Sequence, residues 1–214
     1  MSVAAKICGV SSTEAVAAAM DGRATYLGFV FYPPSSRAVT PEQAAALCAE
    51  ARTGITRVGL FVDAEDALIE AVLAAAPIDL LQFHGAETPE RVVEVRRRFT
   101  RPIMKAVAIA GPEDVLDAEC YEDAADLLLF DAKPPRRPDA LPGGNGLAFD
   151  WRLIAERRWR RPWMLSGGLS VEVLPEAVRI SGAAAVDVSS GVESRPGIKD
   201  PEKIRAFLAV ARAL

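Results

Sequence analysis

Eight short apolar runs, spaced roughly 25 residues apart, constrain the fold of this chain more than any other feature of its sequence. Most are rich in β-branched or aromatic residues, or are bounded by glycine, as buried strands are. The predicted strands are Ala5–Cys8, Tyr26–Phe31, Arg57–Val62, Leu80–His84, Ile103–Val107, Leu127–Asp131, Trp163–Ser166 and Ala185–Ser189.

Helix signals occupy most of the segments between these runs. Helix starts are marked by a capping hydroxyl at Ser12, Thr40 and Thr88, and by an early proline at Pro41 and Pro89. The predicted helices are Glu14–Met20, Glu42–Ala51 and Glu90–Phe99. A strand and a helix in alternation imply parallel strands, so eight such units predict an α/β fold, a (β/α)8 TIM barrel, rather than an open sheet.

The 214 residues are few for this fold, which typically needs about 250. We therefore predict a single barrel domain over residues 1–214, without large insertions and with one or two curtailed helices. The longest loop is predicted at Lys133–Gly146, which is rich in proline and glycine.

Charge and cysteine content exclude several classes of partner. A net charge of −4 predicts no nucleic-acid or anionic-membrane surface. The three cysteines are far apart and lack CxxC spacing, which predicts neither a disulfide framework nor a metal site. The chain begins without a charged and apolar leader, and no apolar stretch approaches the roughly 20 residues of a membrane span. We expect a cytoplasmic protein.

Two polar residues, Cys8 and Asp131, each end an apolar run. Active sites of barrel enzymes lie where the strands end, so an acid and a base facing one mouth would suit an isomerase. The alternatives are that Cys8 is a small buried hydrophobe and that Asp131 is a loop residue resembling a helix cap.

Three glycine-bearing loops form a second set of candidate site residues. Glycine lets backbone N–H groups approach a phosphate closely, and barrel enzymes most often hold a substrate phosphate after their seventh and eighth strands. One such loop alone is usually a turn, but three adjoining loops predict a phosphate site. The loops are Gly143-Gly144-Asn145-Gly146, Ser166-Gly167-Gly168-Leu169 and Ser189-Ser190-Gly191-Val192.

Lys6 and Asp187 each lie two residues before a strand-end residue, on the inward face of a predicted strand. The first and eighth strands become neighbours when a barrel closes. Because a lone buried charge is costly and a paired one is tolerated, we predict that they form an interior ion pair, which could also tune Cys8.

The chain resembles the phosphoribosylanthranilate isomerase family, barrel enzymes of tryptophan biosynthesis, over nearly its whole length. Asn145 stands where this family usually has Thr or Ser, and Ser166 stands where Ala is usual. The matching motifs are Lys6-Ile7-Cys8-Gly9, Gly28-Phe29-Val30-Phe31, Ser36-Arg37-Ala38-Val39, Gln82-Phe83-His84-Gly85, Gly143-Gly144-Asn145-Gly146, Phe149-Asp150-Trp151, Gly167-Gly168-Leu169 and Asp187-Val188-Ser189-Ser190-Gly191-Val192-Glu193.

The resemblance implies an Amadori rearrangement of N-(phosphoribosyl)anthranilate, with no metal and no cofactor. It implies that Asp131 protonates the ribose ring oxygen, that Cys8 removes the proton from the adjacent carbon, and that Arg37 holds the anthranilate carboxylate. The thiol must then be partly ionised near neutrality while the carboxyl keeps its proton. The partner is a phosphorylated small molecule, bound to a monomer or a homodimer.

His84, the single histidine, follows Gln82 at strand spacing, so we interpret both as pocket-lining or structural polar groups. Two other functions stay open. Lys105 could be the Schiff-base nucleophile of an aldolase-type lyase, or the barrel could bind a sugar phosphate without catalysis. Arg37 could also be a surface arginine in an exposed loop.

Overall fold

In the computed structural model, which describes residues 2–51, 53–134 and 142–214, eight parallel strands close into a barrel. They pair in sequence order, and the first strand pairs with the eighth. This confirms the predicted fold and all eight strands, each to within two residues at either end. The strands are β1 (Ala4–Cys8), β2 (Tyr26–Val30), β3 (Thr56–Phe61), β4 (Leu80–Phe83), β5 (Ile103–Ile109), β6 (Leu127–Ala132), β7 (Trp163–Leu165) and β8 (Ala185–Val188).

A helix follows each barrel strand. Hydroxyl side chains cap the three helices that the sequence predicts: Ser12 Oγ accepts from the Ala15 N–H, while Thr40 and Thr88 accept in the same way at their own helices. The helices are α1 (Thr13–Asp21), α2 (Pro41–Glu50), α3 (Asp66–Ala75), α4 (Pro89–Phe99), α5 (Pro112–Glu119), α6 (Arg152–Ala155), α7 (Leu174–Ser181) and α8 (Pro201–Ala213).

The short helix α6, with four residues, confirms the prediction of a curtailed helix. The predicted loop over Lys133–Gly146 lies between β6 and α6, and its residues 135–141 lie outside the described residues. After β8, a 3-10 turn at Ser190–Val192 leads into a small hairpin of β9 (Glu193–Arg195) and β10 (Ile198–Lys199), which the sequence analysis did not predict. In the described ranges, no helix is both long enough and apolar enough to cross a bilayer.

The barrel interior changes from apolar to polar along the strands. Outward-facing residues such as Ile7 and Phe29 pack against the helices. Inward-facing positions alternate with them, and after the apolar layer the next inward residues on β4 and β6 are Gln82 and Asp131. The fold thus places polar groups at the carboxyl ends of the strands. The apolar layer consists of Val58, Leu80, Met104, Ala106, Leu129 and Met164.

The predicted interior ion pair is confirmed. Lys6 lies opposite Asp187 in the β1–β8 register, its Nζ is 2.8 Å from Asp187 Oδ1, and both side chains are buried. Ser166 Oγ donates to the other oxygen of Asp187 at 3.1 Å. Burial alone would lower the pKa of Lys6, but attraction by Asp187 outweighs it and raises that pKa. The lysine is therefore a cation at physiological pH.

Candidate active site

One pocket at the carboxyl ends of the barrel strands, here called the site pocket, collects most of the predicted site residues. Cys8, Arg37, His84 and Asp131 line it. Gly191 is the one predicted site residue that does not line it, and a Cβ at Gly191 would collide with the Leu169 carbonyl oxygen. The loop residues that line it are Gly143, Gly144, Asn145, Gly146, Gly167, Gly168, Ser189 and Ser190.

Cys8 ends β1 beside the buried Lys6–Asp187 pair. Its thiol fits there because Gly28, on the neighbouring strand, has no side chain: a Cβ at Gly28 would lie 3.2 Å from Cys8 Sγ and 2.9 Å from Lys6 Nζ. Burial raises the pKa of the Cys8 thiol, Lys6 opposes that rise, and Asp187 adds to it. Burial therefore favours the thiol form of Cys8 in the free site, whereas the predicted base needs the thiolate.

Asp131 lies near the end of β6 with its two oxygens in different surroundings. Oδ1 accepts a hydrogen bond from the Ala132 N–H at 2.8 Å, whereas Oδ2 lies 3.2 Å from His84 Nε2. The backbone of Gly143 covers this pair so closely that a Cβ there would lie 2.7 Å from His84 Nε2. One oxygen of Asp131 is thus fixed by the backbone, and the other faces the imidazole.

Arg37 is buried, so the alternative of a surface arginine is wrong. Glu193 holds it through two bonds, from Nε to Oε1 at 2.7 Å and from Nη2 to Oε2 at 3.0 Å. Lys199 Nζ donates to the same Oε1 at 2.7 Å. We call these three side chains the ion cluster. Burial lowers the pKa of Lys199, and Glu193 opposes that fall. With both basic groups charged, the cluster carries one positive charge that is not matched within it.

The carboxylate of the ion cluster is firmly ionised. Burial would raise the pKa of Glu193, but the hydrogen bond from Arg37 and the charge of Lys199 outweigh burial and lower that pKa. Sequence reasoning missed Glu193 and Lys199 as site residues. Glu193 ends one of the matched motifs, but Arg37 is 156 residues away from it in sequence, and only the closed barrel brings them together.

The backbone of the glycine loops lies close to the side chains of Arg37 and Asp131. Gly144 has a φ of +75°, and a Cβ there would lie 2.6 Å from Arg37 Nη1. Gly167 has a φ of +88°, and its Cβ would lie 2.8 Å from the Ala132 nitrogen. Only glycine suits both demands, the left-handed backbone and the close approach. The loops therefore place main-chain groups against Arg37 and Asp131.

Ser189, in the last of the three glycine loops, is hydrogen-bonded to the backbone of Cys8. Its Oγ donates to the Cys8 carbonyl at 3.2 Å and accepts from Lys199 Nζ at 3.1 Å. The hydroxyl proton of Ser189 is thus used in the hydrogen bond to the Cys8 carbonyl. Towards a ligand, Ser189 can offer its backbone N–H as a donor and its hydroxyl oxygen as an acceptor.

Lys105 does not face the site pocket. Its neighbours Met104 and Ala106 belong to the inward-facing layer, so Lys105 points outward from β5. There Nζ donates to Glu87 Oε2 at 2.9 Å and to the Gly85 carbonyl at 2.7 Å. A Schiff-base role at the barrel mouth is wrong for this residue, because it is turned away from the mouth and already paired.

Comparison with known proteins identifies relatives over the full chain. The sequence model of the family described as N-(5'phosphoribosyl)anthranilate (PRA) isomerase matches residues 5–210. The chain is 55% identical to the N-(5'-phosphoribosyl)anthranilate isomerase of Paracoccus denitrificans, covering 100% of this chain and 99% of that protein. It is 56% identical to the enzyme of the same name from Rhodospirillum centenum, covering 100% of both.

Solved structures of the same name share the fold. The crystal structure of phosphoribosyl anthranilate isomerase from Thermotoga maritima superposes with a TM-score of 0.89 at 36% identity, covering 99% of this chain and 100% of that one. A second structure, of such an enzyme in complex with reduced 1-(o-carboxyphenylamino)-1-deoxyribulose 5-phosphate, superposes with a TM-score of 0.86 at 34% identity, covering 99% and 100%.

Proposed function

Since the chain belongs to the N-(5'-phosphoribosyl)anthranilate isomerase family, we propose that its site pocket performs the rearrangement with Asp131 as general acid and Cys8 as general base. The protein is an isomerase of tryptophan biosynthesis that converts N-(5'-phosphoribosyl)anthranilate into 1-(2-carboxyphenylamino)-1-deoxyribulose 5-phosphate. One observation supports the assignment of roles above all others: Cys8, Asp131 and Arg37, which lie on three different strand ends or loops, line the same pocket.

The first chemical step opens the sugar ring. Asp131 gives its proton to the ribose ring oxygen while the bond between that oxygen and C1′ breaks, and the amine lone pair forms a C=N double bond. The product is an iminium ion with a new hydroxyl group. Asp131 Oδ2 suits this role, because Oδ1 is held by the Ala132 N–H while Oδ2 lies towards the covering loop.

The second step removes the proton from C2′. The iminium nitrogen acidifies this C–H bond and also brings a positive charge to a site where Cys8 is a thiol. That charge favours the thiolate, so the thiol releases its proton to solvent and the thiolate takes the C2′ proton. The electrons of the C–H bond form an enolamine, which tautomerises to the ketone. Burial of Cys8 thus implies that the acid acts first.

The substrate is held at its two anionic ends. We assign the anthranilate carboxylate to Arg37, because the ion cluster has one unmatched positive charge and buried charges need partners. We assign the phosphate to the main-chain groups of the three glycine loops, whose approach no Cβ blocks. The phosphate contacts are proposed for the loop residues that line the site pocket, which are Gly143, Gly144, Asn145, Gly146, Gly167, Gly168, Ser189 and Ser190.

Steady-state assays of purified variants test these roles. Conversion of N-(5'-phosphoribosyl)anthranilate is followed as loss of its fluorescence. Cys8→Ala and Asp131→Asn should each lose on the order of 10²–10⁴-fold in kcat. The exposed Cys120 and Asp123 supply matched controls, Cys120→Ala and Asp123→Asn, which should retain wild-type rates. Wild-type kcat in either site variant would remove that residue from the mechanism. Binding without turnover by the wild-type protein would favour the sugar-phosphate-binding alternative.

We further propose that the protein is a cytoplasmic monomer with one barrel domain. The large apolar side chains that are exposed among the described residues are four single residues on separate segments of the chain, Leu116, Leu147, Ile198 and Leu214. Sedimentation equilibrium should give the monomer mass. A dimer mass at micromolar concentration would contradict this proposal.

A further inference from the structure

A row of three polar side chains leads from the barrel interior to the proposed acid. Gln82 is fully buried on β4, and its Nε2 lies 3.1 Å from Nδ1 of His84, two residues along on the same face. The other ring nitrogen of His84, Nε2, lies 3.2 Å from Asp131 Oδ2. His84 therefore touches the acid with one nitrogen and Gln82 with the other.

The orientation of the Gln82 amide decides which ring nitrogen of His84 holds the proton, and in the structure its nitrogen faces the ring. An amide nitrogen is a donor without acceptor capacity, so the Nδ1 that faces it must be the unprotonated nitrogen. The single proton of a neutral imidazole then lies on Nε2 and faces Asp131 Oδ2. In this first arrangement Asp131 is placed as an accepting carboxylate, which is the state it reaches after giving its proton away.

A rotation of the Gln82 amide by 180° gives a second arrangement. The amide oxygen Oε1 is buried and has no hydrogen-bond partner among the residues that the structure describes, so none of them holds it in place. After rotation Oε1 would face Nδ1 and require the proton there. Nε2 would then carry its lone pair towards Asp131, and only a protonated Asp131 could satisfy it.

We propose that Gln82 and His84 are positioning residues that load the proton on Asp131 by switching between these two arrangements. The proposal rests on the role of Asp131 as general acid. We call Gln82, His84 and Asp131 the proton relay. In the first arrangement Asp131 is a carboxylate, and in the second Asp131 carries the proton that it gives to the ring oxygen.

Protons balance across the switch. The first arrangement has one proton on His84 and none on Asp131, and the second has one on each, so the switch takes up one proton. With Oε1 facing the ring, water delivers that proton to Nδ1, and the imidazolium passes its Nε2 proton to Asp131 Oδ2. After Asp131 has given its proton to the ring oxygen, Nδ1 loses its proton to solvent and Nε2 takes one up, which restores the first arrangement. The proton that the Cys8 thiol releases balances the one that the switch takes up. The other ionisable groups that line the site pocket are Tyr32, Arg37 and Asp187.

The single histidine of the sequence makes the relay directly measurable. In protein labelled with ¹⁵N-histidine, the two ring nitrogens of His84 report which of them is protonated. Near neutral pH, the wild-type protein should show mainly the Nε2–H form, because Nδ1 faces the Gln82 amide nitrogen and Nε2 faces the Asp131 carboxylate.

Asp131→Asn supplies the decisive comparison, because it mimics a protonated acid. The Ala132 N–H, which donates to Asp131 Oδ1 at 2.8 Å, keeps the amide oxygen of the variant on that side and turns its N–H2 group towards His84. Nε2 must then accept, so the histidine should change to the Nδ1–H form. The same form in the wild-type protein and in Asp131→Asn would overturn the proposal.

A second variant tests the part played by Gln82. Gln82→Met keeps the length of the side chain but removes both hydrogen-bonding atoms, so the tautomer preference should fall and kcat should drop by about tenfold with little change in KM. Leu80→Met, at the preceding inward position of β4, controls for disturbance of the core and should change neither. Wild-type kcat and tautomer preference in Gln82→Met would contradict the relay.

The two measurements on Asp131→Asn, turnover and the tautomer of His84, distinguish failure of the relay from failure of the proposed function. Loss of turnover in Asp131→Asn tests the general acid, whereas the tautomer of His84 is measured without turnover. An inactive Asp131→Asn with an unchanged tautomer would leave the acid in place and remove only the relay. A fully active Asp131→Asn would remove the acid whatever the tautomer.

Discussion

Glu193 holds two of the three guanidinium nitrogens of Arg37, Nε at 2.7 Å and Nη2 at 3.0 Å, and so fixes the orientation of the guanidinium group. The Nε edge of Arg37 is occupied, and Nη2 also donates to the Gly144 carbonyl at 3.4 Å, so we expect a ligand carboxylate to approach from the Nη1 side, beside this loop. Lys199 completes the ion cluster from the β9–β10 hairpin. This small hairpin therefore acts as a support for the proposed carboxylate site.

Replacement of Glu193 by glutamine should weaken both substrate binding and the fold. Glu193→Gln keeps the shape of the side chain but leaves Arg37 and Lys199 as buried cations without an anion, which should lower the free energy of unfolding by about 3 kcal/mol. KM should rise more than kcat falls, because Arg37 loses its orientation. Urea unfolding and steady-state kinetics measure the two effects. Glu202→Gln, at an exposed pair with Arg205, should change stability by less than about 1 kcal/mol. Equal effects in the two variants would contradict the prediction.

The stabilising effect of Glu193 should depend on pH. Hydrogen bonding to Arg37 and the charge of Lys199 lower the pKa of Glu193 against the opposing effect of burial, so its contribution is present above the unfolded pKa of about 4.3 and is lost as pH falls towards the folded value. The stability difference between wild type and Glu193→Gln should stay constant from about pH 7 to pH 5 and shrink below about pH 4. Urea unfolding across this range measures it, and a difference that does not vary with pH would refute the assignment.

The Lys6–Asp187 pair should be needed for stability. Lys6→Met leaves Asp187 buried without its cation, which should cost about 3–5 kcal/mol in the free energy of unfolding. Lys6→Met/Asp187→Leu, which removes both charges, should be more stable than Lys6→Met alone. Thermal and urea unfolding measure both variants. Unchanged stability in Lys6→Met would refute an interior pair.

Cys8 should react slowly in the free protein. Burial raises the pKa of its thiol, and the thiolate is the reactive form, so alkylation by iodoacetamide at pH 7.5 should modify the exposed Cys120 well before Cys8. Mass spectrometry of peptides over time gives both rates. Faster labelling of Cys8 would show a thiolate in the free site, and the thiol would then not depend on the iminium charge for its activation.

The barrel could be predicted from sequence because its signals are local. Apolar runs and capped helix starts such as Ser12 and Thr88 repeat often enough to fix eight units and their order. The β9–β10 hairpin could not be predicted, because strands of three and two residues have no hydrophobic pattern to read. Residues 135–141, within the predicted long loop, lie outside the described residues.

Side-chain direction was predictable only where a polar residue marks the strand's inner face. Lys6 and Asp187 lie two residues before Cys8 and Ser189, and that spacing placed them inward correctly. Lys105 lies in Ile103–Ile109, a strand that is buried on both faces, so its apolar neighbours do not distinguish inside from outside. The support of Arg37 by Glu193 depends on barrel closure, which no local pattern encodes.

A crystal structure of this protein with reduced 1-(o-carboxyphenylamino)-1-deoxyribulose 5-phosphate would show whether Cys8 and Asp131 act on one sugar. We expect C2 of the sugar beside Cys8 Sγ, the hydroxyl that derives from the ring oxygen beside Asp131, the carboxylate on Arg37 and the phosphate on the glycine loops. A sugar lying out of reach of either Cys8 or Asp131 would contradict it.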